Sequence, residues 1–210
     1  MRLVSTDGFG GSVHFFQQIM QTQSSPDKNT IRIQCLAKRE RMDEFDASVA
    51  GNALVLRLME VISADAATIA GYKSIRREVD ITGAIKQCAA RGQKLCLPII
   101  EAQDKPLFFR RWRMEDPLEK GRYGIEVPRA DALTARPDVI IVPMVAFDRS
   151  LHRLGYGAGY YDRTIAALRA QEKKVQIIGV AYSLQETDSI PFNALDEKLD
   201  MIVTEKEVIL

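Results

Sequence analysis

The sequence predicts an α/β protein of one domain, a three-layer sandwich with helices on both faces of a mostly parallel central sheet. Three observations predict it. Strand-like apolar runs alternate with helix-period segments through residues 28–210. The run "DVIIV" carries four consecutive β-branched residues, Val139 to Val142, as a strand buried on both faces requires. No internal repeat and no linker divides that region.

Residues 1–27 read as a separate leader, rich in Gly, Ser and Gln and closed by "SSPD". That composition fits a disordered tail better than a functional arm. From Lys28, "KNTIRIQCLAKRERM" places Ile31, Cys35 and Met42 on a helical period, with Lys28, Arg32, Lys38, Arg39 and Arg41 adding charge. In "DASVAGNALVLRLMEVI", Asp46 is the expected N-cap of a second amphipathic helix. "ATIAGYK" is a short strand, and Asp80 caps "ITGAIKQCAARG", a helix that Gly92 ends. "KLCLPII" and "LFFRRW" follow as strands, and residues 116–136 are rich in turn formers. "DVIIVPMVAF" supplies a central strand ending near Val142, "GYYDRTIAALRAQ" a helix, and "VQIIGVAY" and "LDMIVTE" two further strands.

The totals exclude several function classes. Hydrophobic residues are 46% and charged residues 27% of the 210, the mix of a soluble globular protein. A net charge of +1 gives no footing for nucleic acid or an anionic membrane as the main partner. Cys35, Cys88 and Cys96 lack metal-type spacing and favour a reducing compartment. His14 and His152 are too few for a histidine-rich metal site. No apolar run approaches a membrane span or a signal peptide, so the expected location is the cytoplasm.

The chemistry concentrates in "RLGYGAGYYDR" (153–163), at the carboxyl end of the buried strand, where α/β sheets bind ligands. Alternating Gly155, Gly157 and Gly159 opening into a helix offer bare N–H groups and a positive helix end to a phosphate. Arg153 can add a fixed charge. A flexible turn would show the same glycines. Asp162, in the first turn of the next helix, can favour the helix dipole or ligate Mg²⁺. Tyr160 and Tyr161 can line a pocket or pack. Lys28 and Arg32, at i and i+4, project from one helix face. Glu78 stands at a strand end, as a ligand-binding carboxylate or an ordinary helix-turn residue. Trp112 can stack on a ligand or pack in the core. No nucleophile elbow and no Cys/His pair is present, so a reaction driven by positioning and charge neutralisation, such as phosphoryl transfer from ATP, suits the inventory.

"FDRSLHRLGYGAGYYDR" resembles the signature of the 5-formyltetrahydrofolate cyclo-ligase family, also called 5,10-methenyltetrahydrofolate synthetases. The resemblance covers residues 28–205 and includes "KNTIR", "REVD", "FRRW" and "DVIIVPMVAFD" in the family's order. It implies a ligase that closes a cyclic C–N bond: ATP phosphorylates the formyl oxygen of 5-formyltetrahydrofolate, N10 attacks, and 5,10-methenyltetrahydrofolate, ADP and phosphate result. It further implies that Lys28, Arg32, Arg153 and the loop of Gly155, Tyr156, Gly157, Ala158, Gly159, Tyr160, Tyr161 and Asp162 bind ATP. Asp162 and Asp196 would hold Mg²⁺. Tyr72, Ile75, Glu78 and Tyr123 would bind the folate, and Tyr160, Tyr161 and Arg153 would act at the reacting group. Ala158 stands where relatives often have Gly or Lys, and Glu126 where many have proline. The resemblance implies ATP and a reduced folate as partners, and a monomer is expected. A non-catalytic folate or nucleotide-binding module, and an ATP-dependent enzyme for another pterin or thiamine-like compound, are the alternatives.

Overall fold

In the computed structural model, the structure describes residues 26–171 and 174–210. The leader expected over residues 1–27 therefore lies outside the described residues up to residue 25. Its last residue, Asp27, is the N-cap of the first helix, α1 (Lys28–Glu40), and accepts the Thr30 N–H at 2.8 Å. Met42 falls just beyond that helix in the turn. The second helix, α2 (Glu44–Val61), begins earlier than expected. Asp43, not Asp46, caps it by accepting the Phe45 N–H at 2.8 Å, and Asp46 sits in the first turn, where its charge suits the dipole.

Strand β1 (Thr68–Ala70) is shorter than the run "ATIAGYK", because the chain leaves the sheet at Gly71. There a Cβ would lie 2.7 Å from Ile85 Cδ1. Helix α3 (Thr82–Ala90) has Ile81 at its N-cap rather than the expected Asp80, which lies one residue earlier and accepts the Thr82 N–H at 2.9 Å; the helix ends before Gly92, whose φ is +81°. Then follow β2 (Lys94–Ile99) and β3 (Phe108–Arg111). The turn-rich stretch holds three short strands, β4 (Leu118–Lys120), β5 (Glu126–Pro128) and β6 (Thr134–Ala135). The β-branched run is β7 (Val139–Pro143), and its continuation forms a separate ribbon of β8 (Ala146–Phe147) and β9 (Arg153–Leu154). Helix α4 (Tyr160–Arg169), β10 (Gln176–Val180), β11 (Met201–Val203) and β12 (Val208–Ile209) complete the chain.

The main sheet runs β12-β11-β10-β7-β1-β2-β3-β6. The five strands from β11 to β2 are parallel, and the antiparallel joins lie at the edges. Strand alternation sorts β7 between two cores. Val139 and Ile141 join Leu54 and Leu58 of α2 and Ile85 of α3 on one face. Ile140 and Val142 join Ile165 of α4 on the other. The three-layer sandwich expected from the sequence is thus formed. Helix α1 stands apart from both faces, with Ile31 and Cys35 packed on Val145, Ala146 and Leu154.

Gly179, in the middle of β10, leaves room for a loop that packs across the strand. A Cβ there would meet Leu199 Cδ1 and come within 2.9 Å of Met144 Sδ and Cε. We expect Gly179→Ala to cost roughly 1–3 kcal/mol through overpacking, which lowers Tm by roughly 2–12 °C for a chain of this size. Thermal melts followed by circular dichroism would check this, and an unchanged Tm would mean that Met144 and Leu199 yield without cost.

All three cysteines are free and buried. Burial pushes each thiol up, Cys96 to about 12. Among the described residues, no helix is long and apolar enough to cross a membrane.

Candidate active site

The parallel strands β1, β7, β10 and β11 send their carboxyl ends to one side, and the segments leaving them carry most of the residues singled out above. Helix α1 closes that side. Lys28, Arg32 and Arg39 fall at i, i+4 and i+11, which at about 100° per residue puts all three within about 40° on one face.

Lys28 opens the site by holding Asp196, with its Nζ 2.8 and 2.6 Å from the two carboxylate oxygens. Asp196 also accepts the Asn193 N–H at 2.7 Å. Burial acts to raise the Asp196 carboxyl, but the Lys28 and Asn193 hydrogen bonds and the charges of Lys28 and Arg153 outweigh it and hold the group below the usual range. Arg153 is buried and donates Nη2 to Asp162 Oδ1 at 2.9 Å and Nη1 to the Glu197 carbonyl at 2.5 Å. Burial lowers its pKa and the Asp162 carboxylate opposes the change. Asp162 Oδ1 accepts the Glu197 N–H as well, at 3.1 Å. Asp162 and Asp196 are therefore tied together through Glu197.

Both oxygens of Asp196 are held by Lys28, whereas Asp162 is hydrogen-bonded through one oxygen alone, so a divalent cation would meet Asp162 directly and Asp196 in exchange for Lys28. Among the described residues there is no cluster of three or more His, Cys, Asp or Glu side chains suited to a metal. A two-carboxylate set fits Mg²⁺, which takes one or two carboxylates and completes its shell with phosphate and water. Both bonds to Asp162 fall on Oδ1 and none on Oδ2.

The glycine loop is built around two arginines. Arg32 Nε donates to the Gly155 carbonyl at 2.8 Å, and a Cβ on Gly157 would sit 3.6 Å from the Arg32 guanidinium. Gly157 and Gly159 have φ of +103° and +69°, where a side chain is strained. Gly159 heads α4 and no side chain caps that helix, so its first N–H groups and positive end are open to an anion. Arg163 locks the loop from outside, donating Nη2 to the carbonyls of Ala158 at 2.8 Å and Gln103 at 2.9 Å.

Glu78 lies on the other side of Tyr156. It ends a tight turn, with its N–H 2.9 Å from the Ile75 carbonyl, and its Oε2 accepts the Ile75 N–H at 3.1 Å. Arg76 and Arg77, the two central residues, are both left-handed (φ 46° and 59°). Neither is glycine, and such a pair costs on the order of 1 kcal/mol per residue, so the surrounding structure must enforce it. Arg77 does so by donating to the Met42 carbonyl at 2.5 Å. Burial raises the Glu78 carboxyl, and the Ile75 N–H and the Arg39 charge offset part of the rise. Tyr72 is buried beneath, its hydroxyl donating to the Val79 carbonyl at 2.7 Å, so it props the turn from below.

Tyr161 is half-buried, and burial, with the Glu78 charge, pushes its hydroxyl well above the usual range. Tyr160 meets Tyr123 across the mouth, with the hydroxyls 3.3 Å apart. Tyr123 is exposed and also left-handed (φ 59°). Trp112 is buried in the core with Nε1 donating to the Asp116 carbonyl at 3.3 Å, so of its two readings packing is the one observed.

Two residues escaped sequence reasoning. Arg39 is buried at 1% exposure although it belongs to a charged helix stripe. Arg163 reads as an ordinary helix charge. The i+11 spacing from Lys28 was the one signal for Arg39. Arg163 carried none.

Residues 24–205 match the model of the 5-formyltetrahydrofolate cyclo-ligase family. The 5-formyltetrahydrofolate cyclo-ligase of Escherichia coli (strain K12) is 32% identical over 146 residues, covering 67% of this chain and 79% of the relative. That of Mycolicibacterium smegmatis is 29% identical over 196 residues, covering 89% and 98%. The NMR structure of Aquifex aeolicus 5,10-methenyltetrahydrofolate synthetase superposes with a TM-score of 0.73 at 31% identity, over 86% of this chain and 91% of that one. A sheet, a glycine loop and an "RLGYGAGYYDR" motif in this arrangement, together with a match over nearly the whole domain, lead to one assignment: the chain belongs to the 5-formyltetrahydrofolate cyclo-ligase family.

Proposed function

We propose that the protein converts 5-formyltetrahydrofolate to 5,10-methenyltetrahydrofolate at the expense of ATP, as a cytoplasmic monomer, with the nucleotide at the glycine loop and the folate against Glu78. One observation carries the reading. Lys28, Arg32, Arg153 and Asp162 converge on the glycine loop, and the buried Glu78 lies just beyond Tyr156 of that same loop. The three free thiols fit a reducing compartment.

The chain's own groups align and neutralise. Gly157, Gly159 and the open N-terminus of α4 supply N–H donors to phosphate oxygens, and Lys28, Arg32 and Arg153 balance their charge. Asp162 and Asp196 would hold Mg²⁺, which supplies charge neutralisation at the phosphates when bound. Glu78 accepts hydrogen bonds from N–H donors of the folate ring and fixes the formyl oxygen in line with the γ-phosphorus. That oxygen takes the phosphoryl group as ADP leaves. N10 then attacks the activated carbon and loses its proton. The C–O bond breaks, phosphate departs and the ring is closed. Tyr161, kept neutral by its surroundings, can donate a hydrogen bond to the departing oxygen.

Purified protein with ATP, Mg²⁺ and 5-formyltetrahydrofolate should develop the near-ultraviolet absorbance of the methenyl product, and only when ATP is present. A well-folded sample that gives no ATP-dependent signal would reject the reading.

A further inference from the structure

Arg39 is a guanidinium inside the protein, and none of the ion pairs among the described residues includes it. A buried, unpaired cation is expensive and is kept only where other groups compensate it. Two neutral oxygens do so at hydrogen-bond distance, and the Glu78 charge acts on the guanidinium from further off. Nη1 donates to the Met144 carbonyl at 3.2 Å, and Nη2 donates to the Tyr156 hydroxyl at 2.7 Å. Met144 leaves the carboxyl end of β7, and Tyr156 lies within the glycine loop, so one side chain of α1 spans both.

Tyr156 is equally connected. Arg76, from the left-handed turn, lies over its ring at 5.2 Å. The Glu78 carboxylate is near enough for its charge and hydrogen bonding to act on the same hydroxyl that Arg39 holds. One residue further back, the Gly155 carbonyl accepts from Arg32 on the same helix. Tyr156 therefore touches the nucleotide side through its backbone and the folate side through its ring and hydroxyl.

We propose that Arg39 and Tyr156 are positioning residues that latch the glycine loop to the Glu78 turn, so that a nucleoside triphosphate in the loop and a reduced folate at Glu78 bind cooperatively. The proposal rests on the folate reading above. Ordering of the loop by phosphate fixes Tyr156, Tyr156 fixes Arg76 and Glu78, and by thermodynamic reciprocity folate tightens the nucleotide by the same factor.

The experiment measures the Kd of 5-formyltetrahydrofolate by titration calorimetry, with and without saturating Mg²⁺ and a non-hydrolysable ATP analogue. Wild type should bind the folate roughly tenfold more tightly with the analogue, within the usual span of coupling factors. Tyr156→Phe keeps the ring beneath Arg76 and removes one of the two oxygens that hold the buried Arg39, so its Tm should fall by a few degrees, and the ratio of affinities is the deciding readout. Its ratio should fall to about twofold or less; because the ratio is taken within the variant, any change in how either ligand binds alone cancels out of it. Arg39→Lys keeps the charge without the two-pronged reach and should also lose the ratio; should it fail to fold, Tyr156→Phe alone decides. A merely structural role would lower Tm and leave the ratio intact. Retention of the wild-type ratio in Tyr156→Phe, or a wild-type ratio near one with both ligands bound, would overturn the coupling and leave the folate reading standing. Failure of wild type to bind either ligand would overturn both.

Discussion

Asp162→Asn is expected to cut ATP-dependent methenyl formation by roughly a hundredfold or more, the scale of losing one electrostatic group that acts on the transferring phosphoryl. Asparagine has nearly the same shape and can still accept the Glu197 N–H, so the loop keeps its course. It loses the charge that faces Arg153 at 2.9 Å and would face the cation. Arg153 is buried and would be left with carbonyl and more distant carboxylate partners, which costs about 1–3 kcal/mol. Asp162 is itself partly exposed, so the lower end of that range applies. The signature is therefore a large loss of turnover beside a small loss of Tm, with a higher Mg²⁺ requirement. Turnover close to wild type at saturating Mg²⁺ and ATP would remove Asp162 from the metal site.

Glu78→Gln is expected to do the opposite to stability. The kcat/KM for the folate should fall by roughly a hundredfold or more, since a buried charged acceptor is replaced by a group with one acceptor and an unwanted donor. Burial raises the carboxyl above its ordinary 4.5 in the folded protein, so the folded state holds this proton more tightly than the unfolded chain does. Wild-type stability contributed by this group therefore falls as pH rises from about 4.5 through the folded-state value, and the penalty is complete above it. Glutamine escapes that penalty. The variant should melt above wild type at pH 7.5 and alongside it at pH 4. Wild type melting higher at pH 7.5 would show that Arg39 and the Ile75 N–H more than repay the burial.

Fold and site were legible in the sequence to different depths. The run from Val139 to Val142 announced a central strand because four β-branched residues are costly anywhere but a doubly covered sheet. Strands β4, β5, β6 and β12 passed unnoticed because two or three residues carry no period to read. Asp46 was the expected cap of α2, and the hydrogen bond from the Phe45 N–H moves the cap three residues earlier, to Asp43. At the site, residues close in sequence could be grouped by motif, whereas the Lys28–Asp196 pair spans 168 positions and needs the fold to join it. The left-handed pair Arg76–Arg77 is invisible beforehand, since side chains of that kind avoid the conformation unless packing imposes it.

Helix α1 has a consequence for how sequences of this kind can diverge. It carries Lys28 at the Asp196 end and Arg39 at the Tyr156 end, 11 residues and about 16 Å apart along one rigid axis. The helix acts as a ruler, and its pitch, not any loop, sets the spacing between the two chemistries. Loops elsewhere can lengthen by a residue with little effect on that spacing. A single insertion between Lys28 and Arg39 would swing one of them about 100° off the shared face. An insertion within this one helix should therefore disturb the site far more than a substitution at residues that face away from it.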